Sequence, residues 1–109
     1  MFIKKYWSTI SIIISAFVLT TIMGIIIFHS KALPEIDAYY HIRLADIIAN
    51  SSLVLSKFPW TICSIWNLHF FDKEWLFHII LIPFLSLGLG DIIGAKIFIM
   101  VSIFICAVV

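Results

Sequence analysis

Charge is scarce in this sequence, and the few charged residues do not cluster by sign. They make up 12% of the 109 positions, with 7 Lys and Arg against 6 Asp and Glu, and no basic run occurs. Because nucleic-acid backbones are bound by clustered Lys and Arg, no nucleic-acid partner is expected. Cysteine is also rare: Cys63 and Cys106 lie far apart, which indicates neither a disulfide framework nor a metal knuckle.

Apolar residues dominate the composition of the chain. They form 63% of the chain, with a mean hydropathy of +1.18, whereas a soluble domain has roughly 45–50% apolar residues. No charged residue occurs between Lys5 and Lys31, a run long enough to cross the roughly 30 Å hydrocarbon core of a bilayer. We therefore predict an integral membrane protein. A secretory signal peptide is the alternative, but its apolar core is usually about 7–15 residues long, and no convincing cleavage site follows this run.

Lys4 and Lys5 set the expected orientation of the chain. Positively charged flanks stay in the cytoplasm, so the N-terminus is predicted to be cytoplasmic and the following loop to face outward, as in a bacterial inner (plasma) membrane. Two more apolar segments follow, the first of them opened by Trp75, which suits the membrane interface. The last segment stops at Val109 without a polar flank, which favours an N-terminal fragment of a larger polytopic protein.

The predicted fold class is an all-α membrane protein with about three transmembrane helices and a helical outer loop between the first and second. The expected organisation is a cytoplasmic N-terminus (1–6), transmembrane helix 1 (7–29), an outer loop with interfacial helices (30–74), transmembrane helix 2 (75–90), and a cytoplasmic turn with an incomplete transmembrane helix 3 (91–109). The partners expected from this organisation are membrane lipid and the remaining helices of the parent protein.

The outer loop opens with the polar, aromatic stretch "PEIDAYYHIRLAD". We predict a helix from about Asp37 to Ser51, because Asp suits the first turn of a helix. At 100° per residue, Asp37 and His41 share one face, and a solvated stripe of Arg43, Asp46 and Asn50 lies on the other. With Glu35 nearby, the first pair could hold a divalent metal or polarise a hydroxyl. The alternative is that Asp37 caps the helix and His41 lies in the headgroup layer.

The motif Glu35-Ile36-Asp37-Ala38-Tyr39-Tyr40-His41-Ile42-Arg43 resembles the first-loop motif of GT-C integral-membrane glycosyltransferases, in particular oligosaccharyltransferase catalytic subunits. The later stretch "FPWTICSIWNLHFFDKEWLFHIILIPF" is similar to the end of the first loop and the second helix of bacterial proteins of this class. Together these stretches cover most of residues 1 to 90.

The resemblance implies a function and a set of site residues. The function is transfer of a sugar or oligosaccharide from a polyprenyl-phosphate-linked donor to an acceptor at the outer membrane face. Asp37 and Glu35 match the catalytic acids, and Asp37 matches the residue that helps to bind a divalent metal, Mg or Mn. No second acidic loop motif and no site for a lipid pyrophosphate occur in these residues, so the chain alone is expected to be inactive.

Other residues are predicted to support this site. Tyr39 and Tyr40 could stack on a sugar, although anchoring at the interface is the favoured role. His41 and His78 are candidates for contact with substrate, since ionisable groups at a membrane are functional suspects. Asp72 and Glu74 are expected to end the second helix in water.

A function of a different class is also open. The chain could be a small non-enzymatic membrane protein, either an assembly factor or a transporter fragment, with an outer loop that binds a partner.

Overall fold

The computed structural model describes residues 2–58 and 61–109, with side chains from residue 6 onward. The Lys4 and Lys5 side chains, on which the orientation prediction depends, lie outside the described residues, and so do residues 59–60 of the second stretch. The described chain contains α1 (Phe2–His29), α2 (Asp37–Asn50), α3 (Trp75–Leu85), α4 (Asp91–Val108) and a 3₁₀ turn at Ile65–Asn67. No strand occurs in these ranges, so the all-α class is confirmed.

Two of the described helices are long and apolar enough to cross a membrane. The apolar part of α1 has 24 residues and α4 has 18, which correspond to about 36 and 27 Å of helix. Phe17, Ile22 and Ile25 on α1 are exposed, as expected of a helix surface that faces lipid. With 11 residues, α3 extends about 16 Å and is too short to cross. The span predicted as transmembrane helix 2 (75–90) is therefore not confirmed, and with it the total of three spans.

α1 and α4 pack against each other in antiparallel directions. The Met100 side chain lies over Gly24, in contact with the position that a Cβ would take. Nearer the end of α1, the Nζ atom of buried Lys96 donates a hydrogen bond to the Ser30 carbonyl and lies 5.6 Å from the centre of the Phe28 ring. α4 therefore begins beside the end of α1, and the two apolar helices form a hairpin.

α3 folds back along the first half of α4. α3 ends at Leu85 rather than at the predicted Gly90, and the turn that follows contains Gly88 and Gly90 at φ values of 72° and 90°, which favour glycine. A Cβ at Gly94 would overlap the Phe84 carbonyl oxygen, so the two backbones touch. The Phe98 ring lies 5.3 Å from the rings of both Phe77 and Phe84.

α2 lies against α3 and begins and ends within one residue of the predicted helix. Its buried face contributes Ile42 and Ala45 to a core shared with Leu81 of α3 and Ala95 of α4. A second core joins α2 to the loop through Leu44, Ile48 and Phe70. The predicted solvated stripe is confirmed: Arg43 pairs with Asp46 at 2.6 Å, and Asn50 donates a hydrogen bond to the same carboxylate at 2.8 Å.

Hydrogen bonds hold the loop between α2 and α3 in place. The Trp75 indole N–H donates to the Leu53 carbonyl at 2.5 Å, and the Phe70 amide donates to the Ser56 carbonyl at 2.9 Å. The rings of Phe58 and Phe70 are stacked with their centres 5.0 Å apart. The residues directly before α3, which include Asp72, are thus held in a defined position against α2.

Candidate functional site

The site forms where α2 and α3 meet, around two histidines. His41 of α2 and His78 of α3 approach to 2.9 Å between Nδ1 and Nε2, and their ring centres are 5.1 Å apart. His78 is completely buried, whereas His41 is partly exposed. The contact follows from the packing of Ile42 and Ala45, which turns the neighbouring face of α2 toward the first turn of α3.

Asp72 fixes the tautomer of His78. Its Oδ2 atom lies 2.7 Å from His78 Nδ1, so the carboxylate accepts a hydrogen bond from Nδ1–H. His78 Nε2 then carries a lone pair, which accepts a hydrogen bond from His41 Nδ1–H. In this arrangement His41 Nε2 is the unprotonated nitrogen. Asp72 is held in turn by the Glu74 amide, which donates to its other carboxylate oxygen at 3.0 Å.

Glu74 brings a second carboxylate to the histidines. Its Oε2 atom is 3.5 Å from His41 Nδ1, and ligand atoms of His41, Glu74 and His78 all lie within 4.8 Å of one another. Lys73 lies 4.0 Å from the other oxygen of Glu74, but its side chain is 84% exposed, so solvent screens that pairing. An imidazole pair beside two carboxylates can hold a proton, a hydroxyl group or a cation.

A groove of about 310 Å³ opens over these groups. Asp37, the first residue of α2, and Tyr40 line it together with His41, Asp72 and Glu74. Three aromatic residues, Trp66, Phe70 and Phe71, and the side chain of Lys73 also line the groove. Asp37 is the acidic residue of the first turn of α2, and Ile36, the residue before it, makes no side-chain cap hydrogen bond.

Three predicted site residues, Glu35, Tyr39 and His78, do not line the groove. Glu35 lines a neighbouring apolar cavity of about 590 Å³, which His41 also borders, between α2, α3 and α4. The Tyr39 hydroxyl accepts a hydrogen bond from the Leu33 amide at 3.2 Å and so anchors the chain before α2. His78 lies beneath His41. The structure thus brings Asp37, Tyr40 and His41 into one groove and leaves Glu35 and Tyr39 outside it.

The ionisation of the Tyr40 phenol is displaced at this site. Burial of the phenol, together with the nearby carboxylates of Asp72 and Glu74, raises the pKa of Tyr40 above its ordinary value. Its ring also stands edge-on to His41, with centres 5.4 Å apart. Tyr40 therefore remains a neutral hydrogen-bond donor through the physiological pH range.

Asp72 and Glu74, which the sequence predicts only to end the second helix in water, both lie in the site. A pattern that points to Glu74 was present: Glu74 and His78 are one helical turn apart and therefore face the same side of α3. Asp72 has no such pattern, because it meets His78 across the turn that precedes the helix. His69, in the loop, is exposed.

No protein-family model, curated protein or solved structure matches this chain.

Proposed function

We propose that this chain is the N-terminal portion of a membrane glycosyltransferase that uses a polyprenyl-phosphate-linked donor and acts at the outer membrane face. One observation carries the proposal: Asp37, the acid singled out by the resemblance, lines a groove with Tyr40, His41 and Glu74 beside an apolar hairpin. A carboxylate at that position is suited to accept a proton from the acceptor.

The hairpin supports the expected depth of the site. With α1 and α4 as the two spanning helices, Lys96 and Ser30 mark the outer end of α1. His41 is linked to that level through Phe77, whose ring lies 5.1 Å from His41 and 5.3 Å from Phe98. The groove then lies close to the membrane interface, where the phosphate of a lipid-linked sugar meets water. In this topology α3 packs along the outer half of α4, so α3 and the groove beside it lie on the outer side of the bilayer.

The neighbouring cavity suits the lipid part of such a donor. Its lining is mostly hydrocarbon and includes Phe77, Leu81, Phe98 and Ile103, which would exclude water from an isoprenoid chain. Because His41 borders both this cavity and the groove, a donor could place its chain in one and its sugar phosphate in the other.

The groove residues have distinct roles in this proposal. Asp37 accepts the proton of the acceptor, and the Tyr40 hydroxyl donates a hydrogen bond to a sugar or phosphate oxygen. A Mg or Mn ion on Asp37 remains part of the proposal and would polarise the acceptor, whereas Glu35, the second acid of the motif, lines the neighbouring cavity. Tyr39 holds the entry to α2 through its bond with Leu33, and His78 supports His41 from below.

The test is substitution of Asp37 in cells that express the protein from its own locus. Asp37→Asn should reduce outer-face glycan by about 100-fold or more, the usual contribution of a general base, with lipid-linked sugar accumulating. Asp46→Asn is the matched control, because Asp46 belongs to the solvated stripe on the other side of α2. Glycan and lipid-linked sugar are measured by mass spectrometry at equal protein abundance. Unchanged glycan in the Asp37→Asn cells would refute the proposal.

A second function, binding of a protein partner by the outer loop, is favoured by the exposed apolar side chains of that loop. Val54, Ile62 and Phe71 are at least 69% exposed. If this function is the correct one, Ile62→Ser and Phe71→Ser will abolish the activity of the protein in cells and Asp37→Asn will leave it unchanged.

A further inference from the structure

The cluster of His41, Glu74 and His78 has a feature that proton transfer by Asp37 does not require: three potential metal ligands converge on one point. We propose that these three side chains bind one divalent transition-metal ion of the zinc class, with Asp72 as the residue that orients His78. This site is separate from the Mg or Mn ion expected on Asp37, and it does not depend on the proposed glycosyltransferase activity.

Two of the three pairs of ligand atoms are spaced as such an ion requires, and the third pair, of His78 and Glu74, lies within 4.8 Å. Neighbouring nitrogen and oxygen ligands at about 2.0–2.1 Å from a metal are roughly 2.9 Å apart at right angles and roughly 3.4 Å apart in a tetrahedron. His41 Nδ1 is 2.9 Å from His78 Nε2 and 3.5 Å from the Glu74 carboxylate. Two imidazoles and one carboxylate form a ligand set that suits zinc and related ions better than Mg²⁺ or Ca²⁺.

Asp72 gives the cluster the outer support that metal-binding histidines usually have. A ligating histidine normally donates its other ring N–H to a carboxylate, which fixes the ring and its tautomer. The Asp72 carboxylate, 8% exposed, accepts this bond from His78 at 2.7 Å, and the His78 side chain is 1% exposed. His78 therefore already presents the Nε2 lone pair to the cluster.

Ion binding requires the His41 ring to turn off the line of its hydrogen bond with His78 and the Glu74 carboxylate to move toward His78. The proton that His41 shares with His78 leaves Nδ1 and takes the free Nε2 position of the same ring, so that both facing nitrogens become ligands. No proton is lost, and Glu74 binds as a carboxylate. His41 and Glu74 are partly exposed and line the groove, which gives an ion a path from solvent. Three protein ligands leave coordination positions for water or for a molecule in the groove.

The experiment measures binding of the metal alone to the full chain in detergent micelles, purified without a histidine tag. Zn²⁺ content is measured by mass spectrometry after dialysis, and Co²⁺ is used as a visible-absorption probe. We expect one ion per chain. His41→Gln and Glu74→Gln should each weaken Zn²⁺ binding at least tenfold, and Asp72→Asn should weaken it by about 10–100-fold, the range for loss of an orienting carboxylate.

His69→Gln is the matched control, because His69 is an exposed histidine of the same chain and its loss should leave Zn²⁺ affinity unchanged. The test uses variants of the two partly exposed ligands, because removing His78 from the core would also disturb folding. Far-UV circular dichroism verifies the helical content of each variant. The proposal is overturned if the wild-type chain binds no Zn²⁺, or if folded His41→Gln and Glu74→Gln retain wild-type affinity. Because no sugar donor is present, this outcome is independent of the Asp37→Asn result.

Discussion

Gly94→Ala should destabilise the protein by separating α3 from α4. A Cβ at Gly94 would overlap the Phe84 carbonyl oxygen, and it would lie 2.9 Å from the Phe84 carbonyl carbon and 3.2 Å from Leu85 Cα. These are backbone atoms, so no side-chain rotation relieves the clash and the helices must move apart.

The expected magnitude follows from two opposing terms. Overpacking at a close contact costs about 1–3 kcal/mol, whereas replacing a helical glycine by alanine contributes about 1 kcal/mol of stabilisation. Because the clashing atoms at Gly94 belong to the backbone, the cost falls in the upper part of that range, about 2–3 kcal/mol, and we expect a net loss of about 1–2 kcal/mol in the free energy of unfolding. Because α3 carries His78, the displacement should also weaken the contact between His41 and His78.

Gly24→Ala is the matched control for this prediction. The Cβ at Gly24 would meet only the methyl group and sulfur of Met100, and that flexible side chain can turn away, so stability should be unchanged or slightly raised. The free energy of unfolding is measured for each chain in micelles by denaturant titration, followed by far-UV circular dichroism. The reasoning is refuted if Gly94→Ala is as stable as the wild type, or if Gly24→Ala loses as much stability.

Two further predictions concern Tyr40 and Lys96. The pKa of Tyr40 is raised in the folded chain, so the unfolded chain releases the phenol proton at a lower pH than the folded chain does. The stability that Tyr40 contributes is therefore present below pH about 10 and is lost as pH rises through the folded pKa. Unfolding measured from pH 9 to 11.5 should therefore show a steeper loss for the wild type than for Tyr40→Phe, and parallel curves would contradict this. Lys96→Met should cost about 1.5–3 kcal/mol of unfolding free energy, because it removes the hydrogen bond that the charged Lys96 amine donates to the Ser30 carbonyl. Lys73→Met, at a side chain that is 84% exposed, should cost nothing, and equal losses in the two variants would refute the assignment.

Local patterns predicted α2 closely. Asp37 begins the helix as expected. The apolar face of the helix is buried at Ile42 and Ala45, and the polar face carries the exposed Arg43–Asp46 pair. These features depend on residues within two or three helical turns of one another, so the local sequence is enough to predict them. The charge-free runs likewise indicated apolar helices, and α1 and α4 have that length and composition.

The end of α3 was harder to place. A charge-free run from Trp75 to Gly90 reads as one span, but Gly88 and Gly90 adopt positive φ values and the chain reverses after Leu85. Glycine indicates where a reversal is allowed, whereas its position depends on the packing of Gly94 against Phe84.

By itself, the sequence determined an apolar, helical chain with a polar aromatic segment that starts at Asp37, because composition and periodicity act over short distances along the chain. Only the tertiary structure decided that α4 returns beside α1 and that Asp72, His78, His41 and Glu74 meet at one groove. Those contacts join residues as many as 66 positions apart, and they depend on how whole helices pack, which no local pattern specifies.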